Sequence, residues 1–260
     1  MNSFAIFFKK ELTELVKTVK GVVLAVIFLV TGLSSPLIAK LAPEILKMSG
    51  FEITPEMMAV MAINYPPNSI DSYAQFASNF NTLGLLLTII VFSGLVANEK
   101  AKGTASYILT KNITRVQFVL SKFASSVAFV FASLGIAAGT QIFYTKFLFE
   151  DDLAKTGDVM LFFLLVFLYL VFIISLVLFS SVLAKNVTTA TFLAFGIFMA
   201  FNIAAAIPKI GGYMPPSIND FGILTGMTAI GDLGAAIAVT VLCSAAFVLS
   251  GVYIFNRQEL

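Results

Sequence analysis

Glu99 closes a long apolar run, at the carboxy end of the helix that run must form. A helix dipole disfavours an anion there unless a cation answers it. Lys102, by its i+3 spacing, and Arg115 and Lys122 further on are the candidate cations. A second carboxylate is misplaced in the same sense. Phe4, Phe7, Phe8, Leu12, Leu15, Val16 and Val19 recur at helical spacing, with Lys9, Lys10, Thr13 and Lys17 opposite, yet Glu11 falls inside the apolar arc. Two readings of Glu11 stand: a stripe-edge side chain that snorkels into water, or a buried ion-pair partner for a cation of the segment 98–122.

Ion pairing is the chemistry these residues offer. Histidine is absent and Cys243 is the lone cysteine, so imidazole acid–base work, disulfides and thiol-rich metal sites are excluded. The acidic loop 146–158, with Glu150, Asp151, Asp152 and Asp158, lacks calcium-ligand spacing. Neither a Gly-x-x-x-x-Gly-Lys-Ser/Thr phosphate loop nor a Gly-x-Gly-x-x-Gly turn occurs. The chain is expected to be no enzyme, to hold no metal or cofactor, and to have no nucleic-acid partner. Gln141 and Asn202 are the strongest polar candidates inside apolar runs, either as helix–helix hydrogen bonders or as lining of a route.

The elements that position these residues follow from composition. Of 260 residues, 59% are hydrophobic and 12% charged, too few polar groups to cover a water-soluble domain. Uncharged runs predict six membrane-spanning helices at about 21–39, 76–98, 119–145, 159–184, 187–207 and 233–256, preceded by an amphipathic interfacial helix over 4–20. The first run reads as a retained span, not a cleaved leader. With the amino terminus inside, 11 of the 16 Lys and Arg residues lie on the inner side and ten of the 14 acidic residues outside, so both termini are expected in the cytoplasm. No Asp, Glu, Lys or Arg sits mid-span, which counts against a proton- or sodium-coupled carrier.

Several local features can be read. Ser34-Ser35-Pro36 is a kink site. Residues 40–77 form an outer cap, with a short helix over 55–63 started by Thr54-Pro55, and Asp71 caps the helix leading into the second span. Gly135 and Gly139 have helix-packing spacing in the third span. The Pro- and Gly-broken segment 208–232 reads as short re-entrant outer helices.

Between spans two and three, Gly103 lets the chain break, Thr104 is a fair N-cap, and 105–111 makes about two turns, too few to stand undocked. Thr114-Arg115-Val116-Gln117 has capping-box spacing and starts the third helix. Glu99, Gly103-Thr104, Ile108-Leu109, Thr114-Arg115 and Lys122, with Lys9-Lys10-Glu11-Leu12 at the amino end, resemble the ABC-2 family of ABC transporter permeases. The family often has Pro before the Ser/Thr-Arg pair, where this chain has Asn112-Ile113.

The resemblance implies an all-α permease that pairs with a second permease copy and with two copies of a separate ATPase carrying ATP and Mg. Export is the expected direction of transport. It implies a short cytoplasmic coupling helix at 104–111 and an ATPase-coupling interface of Glu11, Glu99, Gly103, Thr104, Ile108, Leu109, Thr114, Arg115 and Lys122. Alternatives from other classes are an ion-coupled carrier and a non-transporting scaffold or immunity subunit.

Overall fold

A computed structural model of the chain describes residues 3–48, 66–110, 113–150, 153–219, 222–226, 228 and 230–258. The expected helix 55–63 lies outside the described residues, as do Lys111, Asn112, Asp151 and Asp152. Every regular element among the described residues is helical. Lipid offers no hydrogen bonds, so a run this apolar must satisfy its own backbone, and a helix does so. Six helices are long and apolar enough to span a membrane, as the uncharged runs predict: Val19–Ile45, Ser69–Ala101, Arg115–Leu148, Thr156–Leu183, Val187–Ala205 and Leu233–Arg257.

Helix α1 (Ser3–Lys17) precedes the first span, α2 (Val19–Met48), which runs through Pro36 and Pro43 without a break in its helical assignment. The turn between them is tight. A Cβ on Gly21 would stand 1.8 Å from the Leu15 carbonyl oxygen, so only glycine fits there. The second span comprises α3 (Ser69–Asn79), a π-helical turn (Phe80–Gly84), α4 (Leu85–Phe92) and α5 (Ala97–Ala101). Its start is a full capping box: Asn68 Oδ1 accepts from the Asp71 amide, and the Asn68 amide donates to Asp71 Oδ2. Asp71 is therefore the reciprocal member at the third helical position, and Asn68 is the cap.

The coupling segment holds α6 (Thr104–Leu109), followed by the third span α7 (Arg115–Leu148), the fourth α8 (Thr156–Leu183) and the fifth α9 (Val187–Ala205). Two 3₁₀ turns (Gly211–Tyr213 and Pro215–Asn219) and the single-turn α10 (Gly222–Thr225) lead to the sixth span, α11 (Ile230–Arg257). In these short pieces Gly211, Ile218, Asn219, Ile223 and Leu224 are buried against the bundle.

Helix α8 is the pillar, with 72% of its most apolar window buried, while only 11% of the α9 window is covered by the chain. One apolar cluster fills the bundle along α8. A second, separate cluster closes one end: Phe7, Val96, Ala105, Phe118, Val119, Leu178, Val182, Val248 and Phe255. It joins α1, α6 and the ends of α7, α8 and α11, and we refer to it as the basic end. The close helix contact expected of Gly135 and Gly139 is found elsewhere. Nothing lies within 4 Å of a Cβ placed on either, whereas Gly32 of α2 meets the Ala137 backbone of α7 at 2.5 Å. The glycine of close approach sits on the partner helix and packs on Ala137, between the two glycines of α7.

These contacts give a first prediction. Gly21→Ala overpacks the α1–α2 turn and should cost about 1–3 kcal/mol, while Gly135→Ala should stay within about 0.5 kcal/mol of the parent. Thermal unfolding in detergent decides; equal losses would contradict the packing described.

Candidate functional site

The site begins with a break in the second span. At 93–96 the helix loosens into turns, and Ser181 of α8 fills the gap. Its Oγ accepts from the amides of Val96 (2.9 Å) and Ala97 (3.0 Å) and donates to the Ser93 carbonyl (2.8 Å). Thr191 of α9 adds a bond to Ser93 Oγ at 2.7 Å. The Ser181 hydroxyl thus takes over backbone groups that the helix has released, and Thr191 ties the Ser93 side chain to the fifth span. The break re-aims α5, and α5 carries Glu99.

Glu99 Oε1 accepts from Lys122 Nζ at 2.8 Å, and the same ammonium donates to Glu11 Oε2 at 2.8 Å. Lys10 continues the chain of charges, at 3.0 Å from Glu11 and 3.4 Å from Glu14. The Lys122 side chain is 3% exposed and Glu11 7%. Around the ammonium lie the rings of Phe118 (5.1 Å) and Phe7 (5.9 Å), close enough for cation–π attraction. Glu11 is thus the buried partner, and the snorkelling reading falls. Partial burial alone would lower the Lys10 pKa. The Glu11 carboxylate, supported by Glu14 and Glu99, outweighs it and raises the pKa above the ordinary lysine value. Glu99 is held less completely, since its Oε2 is buried without a partner among the described residues.

Arg115 does not pair with Glu99. As the first residue of α7 it reaches across to the end of α11, donating to the carbonyls of Phe255 (3.2 Å), Asn256 (3.0 Å) and Gln258 (2.6 Å). A guanidinium on the last carbonyls of a helix satisfies groups that have no intrahelical partner and complements the dipole. Lys102 is exposed and forms no ion pair with a described residue. Lys100 supplies a tie that sequence reasoning missed, donating to the Val182 carbonyl at 2.6 Å and to Gln258 Oε1 at 3.1 Å, while Gln258 Nε2 donates to the same carbonyl at 3.0 Å. No local signal marks Ser181, Thr191 or Gln258. Their partners lie on other helices.

Helix α6 stands over this network. Gly103 adopts a left-handed conformation (φ 68°) and is itself the cap position; Thr104 is the first helical residue, its Oγ1 donating to the Glu99 carbonyl at 3.3 Å. The expected N-cap role of Thr104 is therefore corrected. Ala105 is buried, Ile108 and Leu109 pack half-buried on the second cluster, and Tyr107 is 63% exposed. Thr114 Oγ1 accepts from the Gln117 amide, and Gln117 Oε1 from the Thr114 amide, the expected capping box. Below, Phe7 stacks on Phe118 (5.7 Å) and Phe118 on Phe255 (5.2 Å, interplanar 6°), so α1, the third span α7 and the sixth span α11 share one aromatic pile.

The two mid-span polar residues lie far from this end. Gln141, fully buried, donates to Ser72 O (3.1 Å) and Oγ (2.9 Å), and Ser72 bonds Thr145 at 2.8 Å, tying the second span to the third. Asn202 bonds the Phe198 carbonyl of its own helix and meets the Tyr169 hydroxyl.

A family model for ABC-2 family transporter proteins matches residues 5–232. The chain belongs to the ABC-2 transporter family. It is also 26% identical over 256 residues to an uncharacterized transmembrane protein, YxlG, of Bacillus subtilis (strain 168), with 96% of each chain covered. An ABC-2 protein is a multi-pass membrane subunit of a transporter, and the family typically works with an ATPase subunit. The basic end of this ABC-2 chain gathers Glu11, Glu99 and Lys122, sets Gly103, Thr104, Ile108 and Leu109 beside them, caps α7 with Thr114 and sends Arg115 to the end of α11.

Removing Lys122 leaves two facing carboxylates buried without their ammonium, which should cost about 3–5 kcal/mol. Lys122→Met should lower the unfolding temperature sharply, and Glu11→Gln/Glu99→Gln in the same chain should recover much of it. A double-mutant cycle between Arg115 and Glu99 should give coupling within about 0.5 kcal/mol of zero; a large coupling would mean that the two pair after all.

Proposed function

We infer that this ABC-2 chain is the permease of an exporter in the cytoplasmic membrane of a prokaryote, with both termini in the cytoplasm. Two permease copies form the membrane unit, and two copies of a separate ATPase bind ATP and Mg and hydrolyse the nucleotide. The orientation rests on the excess of Lys and Arg at the basic end. In this reading α1 lies in the inner membrane interface, and the short pieces 211–225 are re-entrant at the outer face.

One observation carries the reading. The six-residue α6 is too short to be stable alone, yet it is hung between a left-handed Gly103 and a capped α7, directly over the buried Glu11–Lys122–Glu99 group. Pressure on α6 therefore meets a rigid polar joint that grips α1, α5 and α7 together. Arg115 and Lys100 extend the same joint to the ends of α8 and α11. An ATPase closing against α6 would move these ends as a group and tilt the spans they terminate. Such a joint delivers force and has no contact with a transported molecule.

Two outcomes test this. Tyr107→Glu, on the exposed face of α6, should abolish or reduce at least tenfold the association of a co-expressed ATPase with the purified permease while leaving its unfolding temperature unchanged; undiminished association would remove the docking role. With Cys243→Ser as background, a cysteine at Ser106 should react with an impermeant thiol reagent only from the cytoplasmic side, and one at Lys155 only from outside. The reverse labelling would invert the topology.

A further inference from the structure

Helix α1 has three faces, and only one is used by the chain. At about 100° per residue, Phe4, Phe7, Phe8, Glu11 and Leu15 share the face that packs on α7. Beside it Val16 is 56% exposed, and past the bend at Thr18 the first residue of α2, Val19, is 78% exposed. The remaining side is cationic. Lys9 and Lys17 face outward there, Lys20 follows exposed in the first turn of α2, and none of the three forms an ion pair with a described residue. A recess of about 400 Å³ opens on that side, lined by Ile6, Lys9, Lys10, Thr13, Glu14 and Lys17. Its one carboxylate, Glu14, is answered by Lys10 at 3.4 Å. The recess is left with unneutralised positive charge beside exposed apolar side chains.

We propose that the outer face of α1 and the adjoining first turn of α2 form a binding site for anionic phospholipid, with headgroup phosphates held by Lys9, Lys17 and Lys20 and acyl chains lying along Val16 and Val19. The chemistry follows from the order of the faces. Bundle face, apolar residues and cationic ridge lie side by side across α1 and the first turn of α2, the arrangement an in-plane helix needs at the boundary between headgroups and acyl chains. The tight turn at Gly21 fixes α1 against the first span, so the ridge is held at one depth and cannot roll away. Lysine is suited to the task, because its long stem lies along apolar surface while the ammonium reaches a phosphate. Near a charged membrane surface each lysine contributes a factor of about five in affinity. The inference rests on the proposed placement of α1 in the membrane interface and needs neither nucleotide nor transported substrate.

The chain contains no tryptophan, so a single introduced one reports without background. Val16→Trp, and separately Val19→Trp, would be reconstituted in phosphatidylcholine carrying either brominated phosphatidylglycerol or brominated phosphatidylcholine. The expected result is preferential quenching by the anionic lipid, corresponding to at least a fivefold higher relative association. That ratio should fall to about one when Lys9→Gln, Lys17→Gln and Lys20→Gln are combined. Equal quenching by the two lipids in the lysine-containing protein would overturn the proposal, as would an anionic preference that survives loss of the three lysines. If the triple variant instead loses a co-purifying ATPase and the parent shows no lipid preference, the ridge belongs to a protein partner and the lipid site is refuted. Two reporter positions guard against one of them perturbing the helix.

Discussion

One ammonium, buried between two carboxylates that come from different parts of the chain, sets the geometry of the basic end. Taking three charges out of water is costly, and the cost is met only while all three stay together with good geometry. Lys122 therefore does more than attract Glu11 and Glu99. It fixes the rotation of α1 about its axis, because any other rotation would expose Phe7 and strand Glu11. It also fixes where α5 must end. The ring pile of Phe7, Phe118 and Phe255 lies beneath and keeps water from the ion group, so the apolar cluster and the charges stabilise each other.

The second span is the element that connects this end to the other. It is jointed at two places. At 93–96 the released backbone groups are held by Ser181, so the joint is defined and not frayed. At 80–84 a π-helical turn inserts one residue into the helical register; such turns recur at functional sites in helices. It leaves Asn81 pointing out of the span, where it accepts a hydrogen bond from Asn219 of the outer 3₁₀ turn. Through these two joints the second span links Glu99 at one end to the 3₁₀ turn Pro215–Asn219 at the other.

Much of this was legible in the sequence, and the reasons for what was not are physical. The six spans follow from apolar run length because lipid leaves the backbone no other choice. The start of α7 was written in Thr114 and Gln117, whose bonds are local. Glu11 was flagged because a carboxylate inside an apolar arc needs a partner. The identity of that partner could be narrowed but not chosen: Lys122 and Arg115 are seven residues apart on one helix, and proximity in sequence does not say that Arg115 will prefer carbonyls of a helix end some 140 positions away. Ser181 and the π-helical turn left no local mark, since the first acts on a distant backbone and the second is a matter of register. The glycines show the same limit. A Gly-x-x-x-Gly spacing marks where a close approach is permitted, but only the three-dimensional partner decides that Gly32 is the one used.

The aromatic pile also bears on the order in which the protein can be made. Its three rings belong to residues 7, 118 and 255, so the ribosome delivers the first almost at once and the last only when the sixth span has been synthesised. Until then Phe118 lacks one neighbour and Arg115 has no helix end to grip. The surface under α6 is therefore assembled last, and an unfinished chain has no complete platform on which a partner could close. In this architecture the basic end and the chain are completed together.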